Sequence, residues 1–421
     1  MLILFMPILF VIAAAALSRL TGKKPEQSLF VITLSMIVIC LLGGFAGILR
    51  AGLYLCYAIL SALIVYFIIT VIKDRRNSKA LPIGDYLTPG ITVYLLSSIL
   101  YAAASWGSVL SCTDDAVHWA QATLYMLRTG QLFKGVQTLG VPMLNYFITS
   151  ITGYQEHILF AGRWMFIWAA FCLPMHNIRW DKWYKALIYA FMAYMICGVI
   201  TTTPRVYMDL PLGVIAGGIC AFWAIGDDRS YFGYLTLFLG IIITCQIKNM
   251  VGSIMALFII LFVIVIEAIA AFREKKLPNK KTLIFIISTI MMLPAGMLIA
   301  YFSRGQSASF KNLLSSDTSA TSMTLFPVLA SKINIILFAA VVVLVIALMG
   351  MLFYMSSRPT SKRHKAMLIT TIIVITMVLL VFLANVARAL LGSLSEDNQK
   401  FLFKYFNQFW QKGFWGKPLK C

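Results

Sequence analysis

Charge is what this sequence has least of. Of its 421 residues only 12% are Asp, Glu, Lys or Arg, about half the share found in an ordinary soluble domain. With 61% apolar residues and a mean hydropathy of +0.88, the chain has too little polar surface to cover itself in water. Acids are scarcer still, 15 against 35 basic residues. The sequence also lacks the strict alternation of barrel strands, which excludes an outer-membrane barrel. It has no metal-type cysteine spacing: Cys40, Cys56, Cys172, Cys197, Cys220 and Cys245 lie within or at the edges of apolar runs and read as small core residues. No repeat, low-complexity tract or long linker divides the chain, so it reads as one membrane domain. The opening run Met1 to Ser18 has neither a basic start nor a small-residue cleavage pattern, and is expected to be a retained helix, not a secretory signal.

What the sequence does have is a series of apolar runs of roughly 20 residues, the length a hydrocarbon layer of about 30 Å requires of a helix. Lipid leaves exposed peptide groups unsatisfied, so these runs must be helical. The net charge of +20 does not point to nucleic acid, because Lys and Arg punctuate the ends of the runs and form no single basic face. The basic segments Arg19 to Lys24, Lys73 to Lys79, Arg179 to Lys185, Arg273 to Lys281 and Arg358 to Lys365 are expected to face the cytoplasm. An even number of spans must separate each pair. The resulting map has about twelve helices, near 1–18, 28–49, 51–72, 87–110, 158–176, 185–201, 210–226, 231–247, 250–272, 282–302, 333–355 and 366–387. Residues 111–157 then form an outer loop, with an amphipathic helix over Ala116 to Arg128 and a short interfacial helix over Pro142 to Thr152. A second outer loop, 303–332, is rich in Ser and Thr and suits a mobile cover over a site. The tail from Arg388 carries five lysines among aromatic residues, as an interfacial segment would.

On this map the outer acids are few. Asp114 and Asp115 follow the fourth span in Ser111-Cys112-Thr113-Asp114-Asp115-Ala116-Val117-His118-Trp119, and Asp209 precedes the seventh span. Taken singly, each suits a helix N-terminus, where a carboxylate meets the positive end of the macrodipole. Together on one face of a membrane, beside basic residues, they suit a catalytic site better. Glu267 is the one acid expected inside a span.

The Asp-Asp-x-x-His-Trp segment, the following amphipathic stretch, Gly-Val-Pro-Met-Leu-Asn-Tyr-Phe, Gly153, Arg163, a basic inner turn and the outer Asp209 resemble the GT-C glycosyltransferases. The order of parts is similar to protein O-mannosyltransferases, lipid A aminoarabinose transferases and polytopic cell-envelope proteins of Gram-positive bacteria. The resemblance spans roughly residues 87–270. It departs from the family at Asp115, where Glu is usual, and at Val141-Pro142-Met143, where Pro-Pro is usual.

The resemblance implies three regions: additional N-terminal spans over 1–86, a GT-C-like core over 87–272, and C-terminal spans over 273–421. It also implies transfer of a sugar, with inversion, from a polyprenyl-phosphate carrier to a glycan, lipid or protein acceptor on the extracytoplasmic face. Asp114 matches the family's first acid and becomes the expected base, which the weakly nucleophilic acceptor hydroxyl needs. Asp115 would orient the acceptor or hold a divalent cation, Mg or Mn. Asp209 would support Asp114 or the acceptor. His118 and Trp119 fall on the family pattern, Trp119 as a sugar platform or an aromatic-belt anchor.

The donor phosphate needs cations, for which Arg163, Arg205 and Lys248 are the candidates; the alternative for each is snorkelling to headgroups. Two other classes compete. A secondary transporter would need midplane charges and duplicated broken helices, and a polysaccharide polymerase or ligase would need clusters of outer Arg and His. The sequence is poor in all of these.

Overall fold

The first span begins with Pro7 in its opening turn and ends where Gly22, at φ 67, turns its N–H back to the Ser18 carbonyl at 2.8 Å. That glycine stop closes α1 (Met6–Thr21) and leads to α2 (Pro25–Phe45), which again opens on proline. The remaining helices are α3 (Leu49–Arg76), the single turn α4 (Ile83–Tyr86), α5 (Pro89–Ala104), α6 (Gln121–Thr129) and α7 (Gly140–Thr152). Then follow α8 (Glu156–Cys172), α9 (Trp183–Ile200), α10 (Asp209–Ile225), α11 (Tyr231–Ile247), α12 (Asn249–Arg273) and α13 (Lys280–Ser303). The computed structural model describes residues 2–77, 83–110, 115–133, 139–200, 208–225, 230–273 and 280–303, and the backbone alone for some of them, Asp115, His118 and Asp209 included.

Among the described residues every regular element is helical. Five helical segments are long and apolar enough to cross a membrane: Leu2–Thr21, Pro25–Phe45, Leu49–Arg76, Glu156–Asn177 and Val251–Ala268. Shorter apolar helices accompany them at Pro89–Ala104, Leu210–Ala224, Tyr231–Ile247 and Ile284–Ala300. The helices α1, α2, α3, α5 and α8 to α13 correspond to the first ten expected spans. The last two, 333–355 and 366–387, lie outside the described residues, as do the tail and all but the first residue of the loop 303–332.

Side-chain contacts fix which helix ends lie together. Arg19, closing α1, bonds Asp74 at the end of α3 at 2.5 Å, and the Trp180 indole donates to the Leu87 carbonyl before α5 at 3.0 Å. Gln27 donates to Thr236, joining the starts of α2 and α11 at 3.1 Å. Trp223 near the end of α10 donates to Glu267 of α12 at 3.1 Å and stacks on Phe285 of α13 at 5.1 Å. These residues adjoin the segments 19–24, 73–77 and 179–185, the end of α12 at Arg273 and the start of α13 at Lys280, which therefore gather at one end of the bundle, here called the basic end. The parity built into the sequence map requires the same grouping.

Two expectations need correction. The segment Pro142 to Thr152 does not lie at the surface: α7 is buried from Gly140 to Thr149 and packs against α2, α6, α8 and α11. Ring contacts of Phe147 with Phe10 of α1 and Tyr57 of α3 show it crossing beneath the end of the bundle. Its polar stripe is covered as well as its apolar face: Asn145 and Thr149 are both buried, and the Thr149 hydroxyl donates to the Asn145 carbonyl at 2.6 Å, so neighbouring helices supply the cover expected from the interface. By contrast α6 keeps Gln121, Tyr125, Arg128 and Thr129 less covered, as an amphipathic surface helix should. The second correction concerns acids inside spans. Glu26, expected in an inner loop, lies in the first turn of α2 and is completely buried, because Pro25 starts that helix earlier than the apolar run does.

Candidate functional site

The described residues of the segment between α5 and α8 lie at the end opposite the basic end, and α7 is the element on which they pack. Its first residue, Gly140, sits directly on the end of α11. A Cβ there would fall 2.6 Å from the Gln246 carbonyl oxygen, so only glycine allows the approach. The positive end of α7 thus faces the negative end of α11, a favourable dipole pairing. Gln246 is itself held by an Nε2 bond to the Gly296 carbonyl of α13 at 2.8 Å.

Two residues further on, Lys248 has the extended backbone φ −149, ψ 128 and separates α11 from α12. The interruption expected from Thr244-Cys245-Gln246-Ile247-Lys248-Asn249 is therefore real, and Lys248 is only partly buried.

Asp115 opens a π-helical turn, Asp115–Ala120, that runs into α6. Wide turns of this kind occur disproportionately at functional sites. The turn and α6 both rest on α7: the Thr123 hydroxyl lies 3.5 Å from the Pro142 carbonyl and 3.2 Å from that of Trp119. Trp119 is 6% exposed, which removes the aromatic-belt reading. His118 has the same turn as its backbone. Asp114 and Arg205 lie outside the described residues.

Arg163 is on α8, seven residues after Glu156 and so about 10 Å along that helix. At 1% exposed it cannot snorkel to headgroups. Its guanidinium lies 5.5 Å from the Trp164 ring centroid, and Trp164 in turn stacks on Tyr101 of α5 at 3.9 Å. Gly162, just before Arg163, packs against the Asn145 side chain of α7. Asp209 is the first residue of α10. Because Trp223 places the other end of α10 at the basic end, Asp209 lies at the end occupied by α7.

Four candidate positions, Trp119, Arg163, Lys248 and the backbone of Asp115, thus belong to elements packed on or next to α7, and Asp209 shares their end of the bundle. Three features escaped the sequence. Glu156 accepts from the Leu110 N–H at 2.6 Å and so ties the segment after α5 to the start of α8. Trp106, 51% exposed, lies against His157 at 4.8 Å beside that tie. Asn145 is buried at α7's contact with α8. The acid at the start of a span was the only available signal, and it equally suits a helix terminus.

Tyr154, between α7 and α8, has its pKa raised by burial first and Glu156 second, with Arg128 opposing. Burial likewise pushes Tyr146 of α7 up to about 12. Both phenols are therefore neutral hydrogen-bonding groups at physiological pH. Among the described residues no three His, Cys, Asp or Glu side chains come together as a metal set. No family model matches the chain, and no curated protein or solved structure matches it either.

Proposed function

We propose that this chain is a membrane glycosyltransferase of the GT-C kind, moving a sugar from a polyprenyl-phosphate carrier to a cell-envelope acceptor on the extracytoplasmic face. The observation that carries the reading is the convergence on α7 of three elements: the turn that holds Trp119, the end of α11 just before Lys248, and α8 with its buried Arg163. Inside the bundle the guanidinium is kept from lipid headgroups, and its planar fork matches the geometry of a phosphate.

The chemistry asks for two things. The acceptor oxygen attacks the anomeric carbon as the bond from that carbon to the phosphate oxygen breaks, and the sugar inverts. Phosphate is a good leaving group, so its departure requires charge stabilisation more than protonation; Arg163, Arg205 and Lys248 are assigned that role. The acceptor hydroxyl must lose its proton, which Asp114 takes. Asp115 and Asp209 orient the acceptor and Asp114, while His118 and Trp119 line the sugar's approach.

The deciding experiment is sugar transfer by the purified full chain from a panel of polyprenyl-phosphate sugars, comparing wild type with Asp114→Asn. Transfer by the wild type and its loss in the variant supports the proposal. Silence of both across a broad panel, with both proteins folded, overturns it.

A further inference from the structure

Two cysteines face each other across the α2–α3 hairpin, which carries none of the residues assigned to sugar transfer. The two helices are antiparallel, joined through Ala46, Gly47 and Ile48, and their backbones touch. A Cβ on Gly43 would fall 3.0 Å from the Gly52 Cα, and one on Gly52 would fall 3.0 Å from the Ile39 carbonyl and 3.6 Å from the Cys40 Cα. Small residues permit this approach, as in other membrane helix pairs.

About one turn further from the loop, Cys40 of α2 and Cys56 of α3 face each other with their sulfurs 3.7 Å apart. Both are free thiols, both are 0% exposed, and the Cys56 thiol also lies 3.6 Å from the Met36 carbonyl. A disulfide requires the sulfurs at about 2.0 Å on Cβ atoms roughly 4 Å apart. The sulfurs have about 1.7 Å to close, at a crossing whose backbones touch at Gly43 and Gly52. Close packing alone would be met by any two small side chains, whereas two thiols in register across the crossing are what a bridge needs.

We propose that Cys40 and Cys56 are a redox-active dithiol, oxidised to a disulfide by a bilayer-soluble quinone. Each thiol gives up its hydrogen, the two sulfurs join, and the quinone takes up both hydrogens and two electrons to become the hydroquinone. The reaction reaches beyond the hairpin through the next residue. Tyr57 meets the Ser150 hydroxyl of α7 at 2.5 Å, and its ring lies 5.7 Å from that of Phe147. The bridge would fix the turn of α3 that holds α7, so the redox state of the hairpin sets how firmly α7 is seated. The inference is independent of the sugar-transfer reading, and its test involves no transferase assay.

The full chain, reconstituted in lipid nanodiscs, is treated with decylubiquinone, then denatured, alkylated with a maleimide and mapped by mass spectrometry. The expected result is a peptide pair joined through Cys40 and Cys56, both unalkylated, with one hydroquinone formed per pair. In Cys40→Ser and Cys56→Ser the remaining partner thiol should stay fully alkylatable. Complete alkylation of both cysteines in the quinone-treated wild type overturns the proposal. So does loss of the Cys56 label to the same extent in Cys40→Ser, which would show a quinone adduct and no bridge. If a Ser variant fails to fold, the wild-type peptide map alone decides between these results.

Discussion

The carbonyl oxygen of Gln246 occupies the space that a side chain on Gly140 would need, 2.6 Å from the position of its Cβ. Through this contact the end of one spanning helix becomes the seat of the short buried helix α7. Gly140→Ala should therefore displace α7 and lower stability by about 1–3 kcal/mol, the usual range for overpacking. Thermal unfolding of the purified protein in detergent measures it. An unchanged melting temperature would mean that α7 is not seated on α11 as described.

Asp114→Asn tests the base. Asn is nearly as good as Asp at a helix N-terminus, so stability should be kept. The amide cannot take the acceptor's proton, and turnover should fall about 10²-fold to 10⁴-fold while donor binding survives. Normal turnover in a stable variant would leave Asp114 as a helix-terminus residue only.

Arg163→Met tests phosphate binding. Removing one member of a buried polar interaction leaves its partner uncompensated, at a cost of about 3–5 kcal/mol. The melting temperature should fall, and in the protein that remains folded donor KM should increase roughly 10-fold to 100-fold, as expected for loss of a charged hydrogen bond. Arg163→Lys should fail to restore KM, since an ammonium lacks the planar fork. Unaltered donor KM in Arg163→Met would assign the residue to packing.

Thr88 links two helix starts at the basic end: its hydroxyl donates to Glu26 in the first turn of α2 and accepts from the Ile91 N–H of α5 at 3.2 Å. Thr88→Val removes both bonds, and Thr88→Ser keeps them. The Val variant should lose about 0.5–2 kcal/mol, the range for a lost N-cap, and the Ser variant little. Equal melting temperatures for the two would rule out the clamp.

Sidedness follows from the positive-inside rule and is tested in intact cells. Gln131, exposed after α6, and Asp181, exposed before α9, lie at opposite ends of the bundle. With the basic end in the cytoplasm, Gln131→Cys should react with an impermeant thiol reagent, whereas Asp181→Cys should react only after lysis. The reverse pattern would invert the topology and move Asp114, Asp115 and Asp209 to the cytoplasmic side.

Much of the architecture is written in one dimension. A helix that must cross lipid announces itself by the length of its apolar run, and Lys or Arg at its ends announces its direction, because both penalties are local and large. The five helices long and apolar enough to cross a membrane, the shorter apolar helices, the break at Lys248 and the amphipathic α6 follow from such local signals, with boundaries shifted by a few residues. At α5 the shift matters: the helix stops at Ala104, well short of the apolar run, and Gly107 turns at φ 74.

Burial was decided by the tertiary structure, since it depends on which neighbours a residue acquires. Composition alone could not tell that α7 is inserted among α2, α8 and α11, because an apolar 13-residue helix suits an interface as well as an interior. Nor could sequence position distinguish a snorkelling Arg163 from a buried one, or an inner-loop Glu26 from an interior one. For those residues the free energy rests on packing between segments far apart in the chain, which hydropathy and charge order do not encode.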